Sequence, residues 1–182
     1  MNYDTTAGTE LVVVFTAEAI ARRLAGLARE IADSGLDNLL VVAILKGSFV
    51  FAADLIRALH GVGLSPEVDF MTLSSYREAQ RSSGQVAILR DMDLDVRDRN
   101  VLIVDDLLDS GRTLAYAKDL IASRGARAIK TCILLNKRAE RAVSFEPDFC
   151  AFECPDVFVV GYGMDVAHRY RELPFVGHVV KD

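Results

Sequence analysis

Cysteine is scarce in this sequence: there are three, Cys132, Cys150 and Cys154, and they form no CxxC pair. An odd number without that spacing argues against a disulfide framework and against a zinc site, and reduced thiols in a cytosolic protein are the plain reading. Positive charge is also in short supply. With 21 Lys and Arg against 26 Asp and Glu the formal charge is −5, which gives no general attraction to nucleic acid or anionic membrane. An anionic ligand therefore needs its own binding device. No apolar run approaches the roughly 20 residues of a membrane span, and the start, MNYDTTAGTE, has neither the basic flank nor the apolar stretch of a signal peptide. The expectation is a soluble, cytoplasmic protein. The commonest phosphate-binding signatures are missing too. No GxxxxGK followed by Ser or Thr occurs, and Gly61-Val62-Gly63 is followed by Pro66 where a dinucleotide fingerprint needs glycine. Nucleoside triphosphates and NAD are disfavoured. Internal repeats, low-complexity segments and domain linkers are absent.

What is present suits one well-buried core, or a core plus a small lobe: 182 residues, 51% apolar and 26% charged. Residues 39–45, LLVVAIL, form a continuous apolar run rich in branched side chains, as a strand buried on both faces requires; residues 101–104 repeat the pattern and 129–135 nearly do. Helical stretches at 52–59 and 114–123 follow the first two runs, an alternation that means βαβ units and a parallel sheet. An N-terminal helix is predicted with Thr16 as N-cap, Ile20, Leu24, Leu27 and Ile31 on one face, and Gly35 just past its end. Residues 74–84, SSYREAQRSSG, read as a long mobile loop between the apolar runs 68–73 and 86–89, and 90–99 as a solvated turn. The fold class expected is α/β, a parallel β-sheet core flanked by helices, with a small lobe from the C-terminal segment. One domain spans 1–182, with its core at about 10–148 and the lobe, or hood, at about 149–182 together with the N-terminal residues.

Residues 101–114, VLIVDDLLDSGRTL, carry the chemistry. In open α/β sheets ligands bind beyond the carboxyl ends of the strands, and 105–113 leave such an end and enter a helix. Asp109, Ser110, Gly111, Arg112 and Thr113 offer hydroxyls, a residue without Cβ, and amide donors at a helix N-terminus, a cradle for phosphate. Asp105 and Asp106 would repel a phosphate by themselves but suit sugar hydroxyls or a hydrated magnesium ion. The pattern suggests a phosphorylated sugar. Its plainer alternative is an acidic turn in which Asp109 or Ser110 caps the helix.

Residues 101–113 closely resemble the phosphoribosyl-pyrophosphate signature of type I phosphoribosyltransferases, and nearly the whole chain, to Val180, resembles the hypoxanthine (hypoxanthine-guanine) phosphoribosyltransferase family. That resemblance implies transfer of the 5-phosphoribosyl group to a 6-oxopurine with Mg2+ as cofactor, no nucleic-acid or membrane partner, and a homo-oligomer, dimer or tetramer. Leu45-Lys46-Gly47-Ser48 looks like the family's pyrophosphate loop, whose peptide bond matching Leu45–Lys46 is cis. Ser75 and Tyr76 match a Ser-Tyr pair on a lid that excludes water. Lys137 is placed on the oxygen at C6 of the base, disfavouring adenine. Phe158 is placed stacking on the purine, Val159 at the base edge by its backbone, Asp165 on magnesium beside the base, and Arg171 on pyrophosphate. Asp105 and Asp106 take the ribose end and the metal, residues 110–113 the 5′-phosphate, and Asp109 the proton at N7 of the purine.

Two positions depart from the family pattern. Asp105 stands where glutamate is more usual, and Val166 where relatives carry an aromatic. His60, His168 and His178 show no ligand spacing and are assigned no chemistry. Two other readings stay open: a phosphoribosyl-pyrophosphate-sensing regulator that binds RNA or DNA, for which neither spare length nor a basic excess exists, and a transferase preferring xanthine or a pyrimidine.

Overall fold

A computed structural model describes residues 2–4, 10–75, 86–137 and 141–180. The elements run β1 (Asn2–Asp4), β2 (Glu10–Phe15), α1 (Ala17–Asp33), β3 (Leu39–Leu45), α2 (Phe49–Gly61), β4 (Glu67–Ser75), β5 (Val86–Arg90) and β6 (Asn100–Leu108). They continue with α3 (Arg112–Ser123), β7 (Ala128–Lys137), β8 (Phe149–Cys154), β9 (Val159–Val160) and β10 (Val176–Val179). A six-stranded sheet has the order β5-β4-β3-β6-β7-β8, parallel throughout except for the antiparallel edge pair β4–β5. A smaller antiparallel sheet, β1-β2-β10-β9, stands beside it.

The apolar runs are buried on both faces because the chain alternates between two cores. Val41, Ala43, Leu102, Val104, Cys132 and Leu134 face α1 and α2 in one layer. Leu40, Val42, Ile44, Val101, Ile103 and Ile133 face α3 in the other. Helix α1 offers Ile20, Leu24, Leu27 and Ile31 to the first core, its N-cap Thr16 accepts from the Ala19 N–H at 3.2 Å, and Gly35 just past its end adopts φ 72°. Among the described residues no helix is long and apolar enough to cross a membrane.

Four boundaries differ from the sequence expectation. Helices α2 and α3 begin at Phe49 and Arg112, earlier than their apolar periodicity alone indicates. Strand β6 runs on through the acids to Leu108, because β7 continues alongside and supplies ladder partners to Asp105, Leu107 and Leu108. Strand β8, at the start of the segment expected to form the lobe, pairs in parallel with β7 in the large sheet, whereas β2, at the start of the expected core, pairs with β10 in the small one. The turn at 90–99 is not merely solvated: the buried Asp69 carboxylate accepts the Asp93 and Leu94 N–H groups at 2.8 Å each and pins it to β4.

Strands β3 and β6 are neighbours, yet β3 continues through α2 on one face to β4, and β6 through α3 on the other face to β7. Their carboxyl ends therefore flank a point where the strand order reverses, the usual place for a ligand in such sheets.

Candidate active site

At the end of β3 the chain turns sharply through Lys46, Gly47 and Ser48. The Leu45–Lys46 peptide is cis. Ser48 is fully buried and donates to the Ile44 carbonyl at 2.5 Å, which ties the turn to its own strand, while Lys46 is exposed. Gly47 lies against β6 so closely that a Cβ there would sit 2.1 Å from an Asp106 carboxylate oxygen. A side chain at 47 would force the Asp106 carboxylate to move.

Next along the sheet, Asp105 is 5% exposed and Asp106 half-buried. Burial pushes the Asp105 carboxyl well above its ordinary range, and the neighbouring Asp106 charge adds to the effect. Burial raises Asp106 as well, against hydrogen bonding from its neighbour and the opposing charge of Arg171. Among the described residues neither carboxylate has a salt-bridge partner and Arg171 offsets the charge only in part, so the pair is a strained negative site. Folding without a ligand pays for it. The penalty of an acid whose folded pKa is raised is fully present above that pKa and vanishes as the pH falls towards the ordinary aspartate value of about 3.9. Asp105→Asn should therefore raise the melting temperature of the ligand-free protein at pH 7 by about 2–4 °C, equivalent to about 1 kcal/mol for a chain of this size. The gain should shrink as the pH is lowered, as thermal scans of both proteins across pH will show; a gain that grew on acidification would contradict the assignment.

Beyond β6 the backbone wraps into a small cradle lined by Leu107, Leu108, Asp109, Ser110, Gly111, Thr113 and Leu114. Gly111 is the N-cap of α3 with φ 77°, a conformation that favours glycine. Segment 141–146 braces it from outside. The Val143 N–H donates to the Ser110 carbonyl at 3.1 Å, and a Cβ on Gly111 would meet the Val143 carbonyl oxygen at 2.6 Å. Arg141 anchors that brace by donating to the carbonyl of Phe145, the side chain of Asn136 and, at 3.2 Å, the carbonyl of Lys137.

The third contribution comes from the chain before β10. A turn at 161–165 carries Gly161, Tyr162 and Gly163 at φ 92°, 50° and 100°. Arg171 donates to the Gly163 carbonyl at 2.7 Å and pairs with Asp165, also at 2.7 Å. Asp165 further accepts the His168 N–H at 2.8 Å. Before β9, Phe158 is 50% exposed, its carbonyl held by the Val179 N–H at 3.3 Å and approached by the His178 ring at 3.1 Å.

A cavity of about 430 Å³ gathers Lys46, Gly47, Asp106, Phe158, Val159, Asp165 and Arg171, and the cradle of 109–113 adjoins it through Leu107. Several expected residues sit elsewhere. Lys137 lies buried at the end of β7, 3.5 Å from Asp156, and is not in the cavity wall. Asp105 lies beneath the wall, and Arg112 is exposed on the first turn of α3 outside the cradle lining. Ser75 ends β4, whereas Tyr76 and the lid expected around it lie outside the described residues. Among the described residues no three acidic, thiol or imidazole groups converge into a metal cage, so Asp105, Asp106 and Asp165 do not form one.

Sequence reasoning did not foresee Thr72, Leu73, Leu89, Met164 and His168 in the cavity wall. His168 alone had a signal, three residues after Asp165. A larger groove of about 720 Å³ between α1, α2 and residues 171–174 is mostly apolar and holds neither the acid pair nor the cradle. The cysteines take no part. Burial pushes Cys132 far up and Cys150 to about 11, so neither thiol is a poised nucleophile.

The phosphoribosyl transferase domain family matches residues 14–167. The chain belongs to this family. Among relatives of this phosphoribosyltransferase, the hypoxanthine phosphoribosyltransferase of Escherichia coli (strain K12) is 46% identical over 165 residues, covering 88% of this chain and 90% of the relative. The hypoxanthine-guanine phosphoribosyltransferase of Aquifex aeolicus (strain VF5) is 41% identical over 177 residues, covering 96% and 97%. A solved structure of Trypanosoma cruzi hypoxanthine phosphoribosyl transferase, which addresses the role of its C-terminal region in oligomeric state and enzymatic activity, superposes with TM-score 0.87 at 38% identity, covering 93% of this chain and 91% of that one. The mostly parallel sheet flanked by helices is the fold shared with that solved structure.

Proposed function

We propose that this phosphoribosyltransferase acts in purine salvage, transferring the 5-phosphoribosyl group of phosphoribosyl pyrophosphate to hypoxanthine, and to guanine, to give IMP, GMP and pyrophosphate. The observation that carries this reading is one cavity in which cationic Lys46 and Arg171 face an exposed aromatic, Phe158, with a phosphate cradle opening beside it. A flat apolar base and an anionic sugar could share it. The relatives named for hypoxanthine and hypoxanthine-guanine support the same substrates.

Residues 110–113 would hold the 5′-phosphate with backbone amides and the positive end of α3, while Asp105 and Asp106 take the ribose end. Displacing pyrophosphate from C1 builds positive charge on the ring, as in glycoside cleavage, and leaves the departing group with the excess negative charge. Lys46, the amides beside it and Arg171 would stabilise that charge, a preorganised electrostatic contribution of the kind that dominates many active sites. Asp109 would accept the N7 proton as the base attacks, and Phe158 would stack on the ring, with the backbone of Val159 at its edge. Lys137, which is outside the cavity wall in this structure, would have to turn from Asp156 to donate to the oxygen at C6, which adenine lacks.

Buried Asp105 and half-buried Asp106, without a salt-bridge partner among the described residues and with Asp165 near enough for its charge to be felt at Asp106, fit a divalent ion. Magnesium suits this arrangement because it binds through one or two carboxylates plus substrate phosphates rather than in an all-protein cage. When bound, it supplies the positive charge that an acidic protein otherwise lacks for a polyanion. We further propose a cytoplasmic homo-oligomer, with no nucleic-acid or membrane partner, organised as a single domain with a small hood over the site.

The test is to incubate the protein with phosphoribosyl pyrophosphate, Mg2+ and each of hypoxanthine, guanine, xanthine, adenine and uracil, following nucleotide and pyrophosphate. Nucleotide is expected from hypoxanthine and guanine, and little from adenine or uracil. No product with any base would overturn the enzymatic reading in favour of a sensor of phosphoribosyl pyrophosphate.

A further inference from the structure

Tyr162 is an unusual tenant of its turn. It is a bulky residue at φ 50° between two glycines that are also left-handed, and it is 4% exposed. Its N–H donates to the Leu173 carbonyl at 2.9 Å. Its side chain leaves the cavity altogether and crosses to α2, where the hydroxyl donates to an Asp54 carboxylate oxygen at 2.6 Å. That length belongs to the strong class of hydroxyl–carboxylate bonds. Burial and the adjacent Asp54 charge push the Tyr162 hydroxyl well above its ordinary range, so it remains a donor. Asp54 in turn is paired with Arg57 on the same helix face.

The bond closes a ring of contacts. Helix α2 starts two residues after Gly47 and carries Asp54. Asp54 holds Tyr162, Tyr162 adjoins Gly163, and Gly163 returns to Gly47: a Cβ on Gly163 would lie 2.3 Å from the Gly47 carbonyl oxygen. Gly163 also presents the carbonyl to which Arg171 donates, and Arg171 holds Asp165. Every member that faces ligand, Gly47, Asp165 and Arg171, thus depends on a turn whose side-chain tether lies outside the cavity.

Resting on the reading proposed above, we propose that Tyr162 is a positioning residue whose hydrogen bond to Asp54 sets the spacing between the Lys46–Gly47 turn and the Asp165–Arg171 pair, and so the fit of the pyrophosphate group. Tyr162→Phe removes one oxygen and no cavity-lining atom. It should raise the Kd for phosphoribosyl pyrophosphate, measured by calorimetry with Mg2+, and the corresponding KM, each about tenfold, equivalent to about 1.4 kcal/mol. The KM for hypoxanthine should move less than about twofold. Asp54→Asn keeps an oxygen acceptor and should bind nearly as the wild type does, whereas Asp54→Ala should reproduce Tyr162→Phe, and the double variant should be no worse than either single one.

A Tyr162→Phe protein that binds phosphoribosyl pyrophosphate within twofold of wild type overturns the proposal, as do additive effects in the double variant. If Asp54→Ala does not fold, the contrast between Tyr162→Phe and Asp54→Asn decides alone. Wild-type protein that binds the pyrophosphate donor but makes no nucleotide would sink the enzymatic reading and leave this one standing; a wild type that does not bind it would sink both.

Discussion

Asp109→Asn should slow turnover by on the order of 10² or more while leaving phosphoribosyl pyrophosphate binding within a few-fold of wild type. Asparagine keeps the size of the side chain and its carbonyl oxygen but cannot take a proton from the purine. The competing reading, in which the aspartate merely caps α3, predicts lost helix stability instead. The N-cap position is occupied by Gly111, which has no side chain to offer, and Asp109 stands two residues outside it. The variant should therefore melt within about 2 °C of wild type, since a shift of that size is about 1 kcal/mol or less. Steady-state rates with hypoxanthine, calorimetry with phosphoribosyl pyrophosphate and a thermal scan separate the two readings. Near-normal turnover would remove the proton-acceptor role.

The second large effect is structural. Gly163→Ala meets two penalties at once, a φ of 100° that an L side chain rarely adopts and a Cβ placed 2.3 Å from the backbone carbonyl oxygen of Gly47. The backbone conformation costs about 1–2 kcal/mol and overpacking a rigid site about 1–3 kcal/mol. Together they should lower the melting temperature by about 5–15 °C at the usual sensitivity for this chain length. Binding of phosphoribosyl pyrophosphate should fall with it, because relieving the clash means moving either the Lys46–Gly47 turn or the 161–165 turn beside it. Gly61→Ala is the matched control. Nothing lies within 4 Å of its added Cβ and it ends α2 with no positive φ, so it should be neutral or stabilising by up to about 1 kcal/mol. Equal melting temperatures for the two variants would show that Gly163 is not the tight contact described.

These two residues mark what the amino-acid order makes legible. The runs at 39–45 and 101–104 announce buried parallel strands because both faces are covered, and an uninterrupted apolar run has no other cheap solution in a chain of this size. The cradle at 109–113 is legible for the opposite reason, since hydroxyls, glycine and acids cluster after an apolar strand where packing does not ask for them. The end of β6 was not legible. Asp105 looks like a loop residue, yet its carboxylate accepts the N–H of Asp106 at 3.0 Å and β7 provides the ladder. Nor was β8, whose FCAFEC pattern gains its place only from β7 beside it. Tyr162 meets a partner 108 residues away in sequence, and no local pattern encodes such a meeting.

The reversal of strand order between β3 and β6 has a consequence for how this site can change. The turn at 46–48 feeds α2, whose apolar face packs in one core layer, while the cradle at 109–113 feeds α3, which packs in the other. The sheet separates them, so each end of an elongated ligand stands on its own foundation. Substitutions that repack Leu55 or Leu59 can shift one end, and those at Ala117 or Ile121 the other, with little crosstalk between sites that share no partners. Adaptation to a longer or shorter ligand could then proceed one layer at a time, without dismantling the grip on the half already held.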